Sequence, residues 1–282
     1  MTDARTLSRS ARTNGGEAGA AVSSRALRPW RRWAVRALSI AALVLVWQFA
    51  SAAKLRLPFI SFVFLPAPAE VAEAFLELSR SGKLMSHIES SAARVLAGYL
   101  LAAVVGVALG VVIARKRFLE DLLLPALELA RPIPAVAWIP LAILMFPSSE
   151  ASMIFITFTG ALFPILLNSI DAIREVDGRL IASARALGAR EATIIREVVL
   201  PGALPGVFTG LSIGMGTSWF CLVTAEMISG QLGVGYYTWE SYTLQNYPDI
   251  VVGMLIIGAL GWTSSAAVRV LGALVMPWRR ER

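Results

Sequence analysis

Among the ionisable side chains inside otherwise apolar runs are Arg131, with Glu128 about one helical turn before it, and Glu226. A charge within a membrane-crossing segment is costly and by default suggests function. Arg131 carries a guanidinium that can offer a paired hydrogen-bonding fork to an acceptor group. Equally, it can pair with Glu128 or lift its guanidinium to an interface. Glu226 reads either as a gate or as a helix-end group hydrogen-bonded to a neighbour. Pro132 and Pro134 flank Arg131, and Gly206, Gly210 and Gly214 recur every four residues, which marks either a tight helix contact or a wall left open to a passing solute. The candidate solute path is thus Arg131, Pro132, Pro134, Gly210, Gly214 and Glu226.

Little else in the chain could do covalent chemistry. His87 is the single histidine and Cys221 the single cysteine. No motif pairs them, so there is no acid, base or nucleophile set and no catalytic residue is expected. His87 reads as an ordinary surface or helix-start residue, and no metal site is expected. Cys221, inside an apolar run, reads as a small buried hydrophobe. A glycine-rich phosphate loop ending in Lys-Ser or Lys-Thr is absent from the sequence, so nucleotide must be handled by another polypeptide.

A different kind of signal occupies residues 182 to 201. Arg185, Arg190, Glu191, Arg196 and Glu197 make this stretch too charged for lipid, yet it lies between two long apolar runs. An ordered loop on one membrane face is expected, built of two short helices. Ala182, Ser183, Ala184, Arg185, Ala186 and Leu187 favour helix, Gly188 can break it or admit another backbone, and Ala189 follows. Ile194, Ile195, Val198 and Val199 form an apolar face, and Leu200-Pro201 is expected to end the segment.

At these residues the chain resembles the inner-membrane permease subunits of binding-protein-dependent ABC importers. That family carries Glu-Ala-Ala, three residues, Gly, nine residues, then Ile-x-Leu-Pro in a cytoplasmic loop. Ala184, Gly188, Leu200 and Pro201 fall on it in register, while Ala182, Ser183 and Val198 replace its Glu, Ala and Ile. Leu65, Pro66, Pro68 and Val71, and the string from Arg131 to Ala142, are similar to the nitrate, sulfonate and taurine (bicarbonate) branch. The resemblance implies that Ala182 to Ala189 is a coupling helix seated on a cytosolic ATPase. It also implies an all-α, type I importer fold and a dimer with a second permease subunit, as a homodimer. Two ATPase subunits that bind the ATP and Mg, a periplasmic solute-binding protein and a small anion as solute complete what it implies.

The elements that would position these residues are membrane helices. At 56% hydrophobic and 16% charged, with mean hydropathy +0.66, the chain is too apolar for a soluble domain. Its net charge of +7 could suggest nucleic acid, but the arginines flank apolar runs rather than cluster with aromatics, so no nucleic-acid partner is expected. Residues 1–32 read as a disordered cytoplasmic tail. The transmembrane domain is expected at 33–278, with six spans at about 33–53, 94–114, 122–146, 152–170, 205–228 and 250–276 and a coupling loop at 174–201. Ala50-Ser51-Ala52 resembles a signal-peptidase site, but the long tail before it favours an uncleaved span. The 122–146 segment is expected to break at Arg131 to Pro134, and residues 54–93 to carry a flat interfacial helix from Pro66 and Pro68. Most of the 26 Lys and Arg fall in the tail, after the second span, around the loop and at the C-terminus. The positive-inside bias therefore puts both termini in the cytoplasm of a multi-pass protein of the bacterial inner membrane.

Two rivals stay open. A secondary transporter would need broken helices in matching halves, and only the Pro132 region is clearly broken. A non-transporting membrane scaffold would not need the loop pattern.

Overall fold

The computed structural model describes residues 29–56 and 61–279, so the disordered tail expected at residues 1–32 lies almost wholly outside them. Residues 29–32 already form the first turn of a helix, α1 (Pro29–Ala52), which is apolar and long enough to cross a bilayer. Among the described residues every element is helical: α2 (Pro68–Arg80), α3 (Lys83–Arg115), α4 (Arg117–Ala130), α5 (Ile139–Met145), α6 (Ser149–Arg174), α7 (Gly178–Ala186), α8 (Glu191–Ile194), α9 (Leu200–Ser229), α10 (Val234–Thr243) and α11 (Tyr247–Val275). Five helices are long and apolar enough to span, and the count is six if α4 and α5, bent by 85° with respect to each other, are one broken span.

Residues 48–279 form one unit with α6 at its centre. Glycines let both neighbours press onto it. On the α3 side, a Cβ on Gly98, Gly106 or Gly110 would strike Thr157, Ile165 or Ser169. On the α9 side, one on Gly206, Gly210 or Gly214 would strike Ala172, Asn168 or Ile165. Small residues in such rows replace the hydrophobic effect, which has no purchase between helices in lipid, with close van der Waals packing. Val95, Ala102, Ile156, Ala161, Ile165 and Leu222 fill the shared core.

Local chemistry explains the boundaries. Ser148 caps α6, its hydroxyl accepting from the Ala151 N–H at 3.3 Å. Pro132 and Pro134 withhold the amides a continuous helix would need, so the chain turns between α4 and α5 where the sequence predicts. Within the stretch expected to precede the second span, α3 begins at Lys83, eleven residues before Arg94. Its first turns carry polar residues such as Lys83 and Glu89 outward and bury His87 and Ser91, so the helix extends ahead of its apolar run.

Candidate functional site: a loop helix, a cavity at the broken span and a buried ion cluster

The loop helix is built by its caps. The Asp177 carboxylate accepts from the Arg179 N–H at 2.8 Å and starts α7. At the other end Gly188 adopts φ +82°, and the Gly188 N–H donates to the Arg185 carbonyl at 3.0 Å while the Ala189 N–H donates to the Ala184 carbonyl at 3.1 Å. This pair of bonds is the Schellman arrangement, which favours a residue without a Cβ penalty at Gly188. Nothing lies within 4 Å of where a Cβ would sit, so the glycine serves the turn rather than a backbone approach. The spaced Gly of the motif is thus a helix terminator.

No residue of α7 is buried. Ile181 and Ala184 rest against the cluster of Ala172, Ile173, Ile194, Val199 and Ala203, while Ala182, Ser183, Arg185 and Ala186 face outward. Leu187, 89% exposed, stands at the tip. Glu191 ties the loop down: it pairs with Arg185 and, at 2.9 Å, with Arg115 at the end of α3.

Pro201 does not end the segment, contrary to the sequence expectation. The chain passes from α8 through one π-helical stretch, Ile195–Val199, directly into α9, with Pro201 in the first turn of that helix. The Leu200 N–H bonds back to the Ile195 carbonyl, a wider register that accommodates a residue with no amide of its own. A helical path of 39 residues therefore runs from Glu191 to Ser229. At 1.5 Å per residue it is about 58 Å long.

At the bend between α4 and α5, a cavity of 630 Å³ opens against α6 and α9. Its polar lining includes Glu128, Arg131, Thr159, Asn168, Asp171 and Arg174. Arg174 is engaged by Glu120 at 2.7 Å, whereas among the described residues no ion pair joins Arg131 to Glu128. Of the predicted path residues the structure brings Arg131 and Pro134 to this cavity, with Pro132 in the turn beside them. Gly210 and Gly214 are not on an open wall; they are closed against Asn168 and Ile165 of α6.

Glu226 lies elsewhere, at the far end of α9, 0% exposed. Its carboxylate accepts from Ser91 Oγ at 2.8 Å, from the Gly235 N–H at 2.9 Å and from Arg94 Nη1 at 2.8 Å. Arg94, 4% exposed, also donates through Nε to Glu150 at 2.7 Å and through Nη1 to the Leu232 carbonyl. The cluster joins α3, α6, α9 and the 230–235 turn. A Cβ on Gly233 would fall 2.3 Å from the Glu226 carboxylate, so that turn needs glycine there. His87 is not a surface residue: it is buried, its Nδ1 against the Gly233 backbone and its ring beside Tyr237, whose phenol burial pushes up in pKa. The sequence does not show what Arg94 and His87 hold, because Glu226 and Gly233 lie more than 130 residues away from them.

Fold and loop together define an integral-membrane transport subunit, and comparison with known proteins identifies its kind. Residues 106–281 match the family described as binding-protein-dependent transport system inner membrane component, and the chain belongs to that family. It is 38% identical over 201 residues to a putative ABC transporter permease protein of Methanocaldococcus jannaschii, covering 71% of this chain and 75% of that protein. It is 32% identical to a nitrate import permease protein of Synechocystis, covering 86% of this chain and 88% of that one. A putative aliphatic sulfonates transport permease protein of Bacillus subtilis is also 32% identical, with 88% and 89% covered. The fold is shared with a chain of the MetNI methionine ABC transporter in an inward-facing conformation, at TM-score 0.51 and 22% identity over 66% of this chain and 96% of that one. An amino acid ABC transporter crystallised with histidines gives TM-score 0.54 at 16% identity, over 72% and 97%.

Proposed function

We propose that this chain is the permease subunit of an ATP-driven importer that moves a small anion of the nitrate, sulfonate or bicarbonate kind into the cytoplasm. Two copies form a homodimer with two separate ATPase subunits, which bind the ATP and Mg, and a periplasmic solute-binding protein delivers the solute. Both termini and α7 face the cytoplasm, in keeping with the arginine distribution. The observation that carries the reading is the outward small-residue face of α7, capped at both ends and pinned by Glu191 to the membrane bundle. Ala and Ser on that face permit a close backbone approach to a partner groove.

The mechanism follows from connectivity. Force on α7 reaches α3 through the Glu191–Arg115 pair and reaches α9 through the continuous helix that starts at Glu191. Because α9 runs to Glu226, displacement at the loop is transmitted to the opposite membrane face, as alternating access requires. An ion-gradient mechanism would need matching broken helices in two repeats, and among the described residues α4 with α5 is the one pair that could form a span sharply bent at a short break.

Arg131 is the anion-contacting residue in this reading, since it opens into the 630 Å³ cavity with no carboxylate paired to it among the described residues. The complex with its ATPase and binding protein, reconstituted in proteoliposomes, should take up labelled anion only with ATP. Arg131→Gln should lower that uptake roughly tenfold through loss of one charge-assisted contact, with complex assembly unchanged. Undiminished uptake would remove Arg131 from the path.

A further inference from the structure

What each group lining the cavity at the broken span can still give a solute is set by the bonds it already makes. Thr159 Oγ1 donates to the Phe155 carbonyl at 2.8 Å, and Thr217 Oγ1 donates to the Gly214 carbonyl at 3.0 Å. With their protons spent, both hydroxyls can offer an occupant only lone pairs. Asn168 gives an Nδ2 proton to the Pro164 carbonyl at 2.7 Å, and its Oδ1 accepts from no donor among the described residues. Arg174 is held by Glu120 at 2.7 Å. Glu128 and Asp171, by contrast, are exposed, line the same cavity and take part in no ion pair among the described residues.

Among the described residues the cavity therefore sets one free cation, Arg131, against two free carboxylates, with acceptor oxygens from Thr159, Thr217 and Asn168 beside them. Glu128 lies near the end of α4 with Arg131 one turn on, and Asn168 and Asp171 stand one turn apart on α6, so each helix turns its groups to one face. A bare oxyanion would satisfy Arg131 but meet two unpaired carboxylates and an acceptor-rich wall, and unpaired charge of the solute's own sign rejects it. A solute that carries a protonated amine beside its anionic group uses both halves of the lining, its N–H groups reaching the carboxylates and the acceptor oxygens. We infer that the cavity selects a zwitterion, a small anion that also bears a protonated amine, with Arg131 on the anionic group and Glu128 and Asp171 on the ammonium. The inference rests on the reading of this cavity as the solute path and narrows the solute within it, since nitrate and bicarbonate have no amine to offer.

The test is binding to the full chain itself, purified in neutral detergent without a solute-binding protein that would select first, read by saturation-transfer NMR. The probes are 3-aminopropanesulfonate, propanesulfonate and propylamine, which share a chain and differ in the charged groups they carry. Wild-type protein should bind 3-aminopropanesulfonate roughly tenfold more tightly than either of the others, the effect of one charge-assisted contact. Joint replacement Glu128→Gln with Asp171→Asn should close the gap to propanesulfonate by weakening the aminated probe alone. Equal binding of the two sulfonates by the wild type, or a gap undiminished in the double variant, would overturn the inference. Propylamine bound as tightly as 3-aminopropanesulfonate would overturn it too, by making the cavity a cation site. Arg131→Gln should weaken both sulfonates; if it weakens neither, the reading of the cavity as an anion path fails, a result distinct from failure to read the amine. Should a variant not fold, the wild-type comparison of the three probes still decides.

Discussion

Replacing Arg94 with alanine is expected to destabilise the bundle by about 3–5 kcal/mol, the usual cost of removing one partner from a buried ion pair. The groups left behind set the cost. Glu226 is fully buried and would keep its bonds from Ser91 and Gly235 but lose its cation, while Glu150, Leu232 and the 230–235 turn would lose their shared donor. The pair itself need not be a net source of stability, because desolvating two ions offsets much of their attraction. Removing both charges together, Arg94→Leu with Glu226→Leu, should therefore cost less than Arg94→Ala alone. Thermal unfolding in detergent checks both: a double variant at least as unstable as the single would show that the cost comes from lost packing rather than from a stranded charge.

Gly188→Val is expected to abolish most ATP-coupled uptake, by more than tenfold, while leaving the membrane bundle as thermally stable as before. The substitution meets no steric obstacle, as nothing lies within 4 Å of the new Cβ, so any penalty comes from the backbone. A φ of +82° costs an ordinary L-residue roughly 1–2 kcal/mol and a β-branched one more, which suffices to unwind an exposed Schellman turn. That would swing Leu187 and the outward face of α7 away from their position while the buried anchors Ile194 and Val199 hold the rest. Asparagine tolerates the left-handed region, so Gly188→Asn should retain much of the uptake. Equal loss in Val and Asn variants would mean that the turn geometry is not what the transporter needs.

These two sites differ in how far the sequence reveals them. The loop motif is legible because its parts are local: a capped small-residue helix, a glycine that ends it and charges that bar it from lipid all lie within some twenty-five residues. The break at Pro132 and Pro134 is legible for the same reason, as a missing amide acts where it stands. Pro201 misleads because the rule against proline after helix assumes α-helical hydrogen bonds, and the wider π register over Ile195–Val199 suspends it. Gly210 and Gly214 carry no mark of orientation, since a glycine row facing α6 and one facing a channel are the same string of letters. Arg94 looks like one more charge at a membrane edge until the fold places it against Glu226, 132 positions away.

The central claim is that α7 is the surface a separate ATPase grips. Leu187 at its tip is 89% exposed, and Cys221, the one native cysteine, is buried, so Leu187→Cys creates a single accessible thiol. Thiol cross-linking in membranes that also contain the ATPase subunit measures the contact directly. The account predicts a permease–ATPase adduct from position 187 and none from a cysteine at exposed Tyr242 on α10. An adduct from position 242 but not from 187, or a thiol at 187 labelled from the periplasmic side, would contradict it.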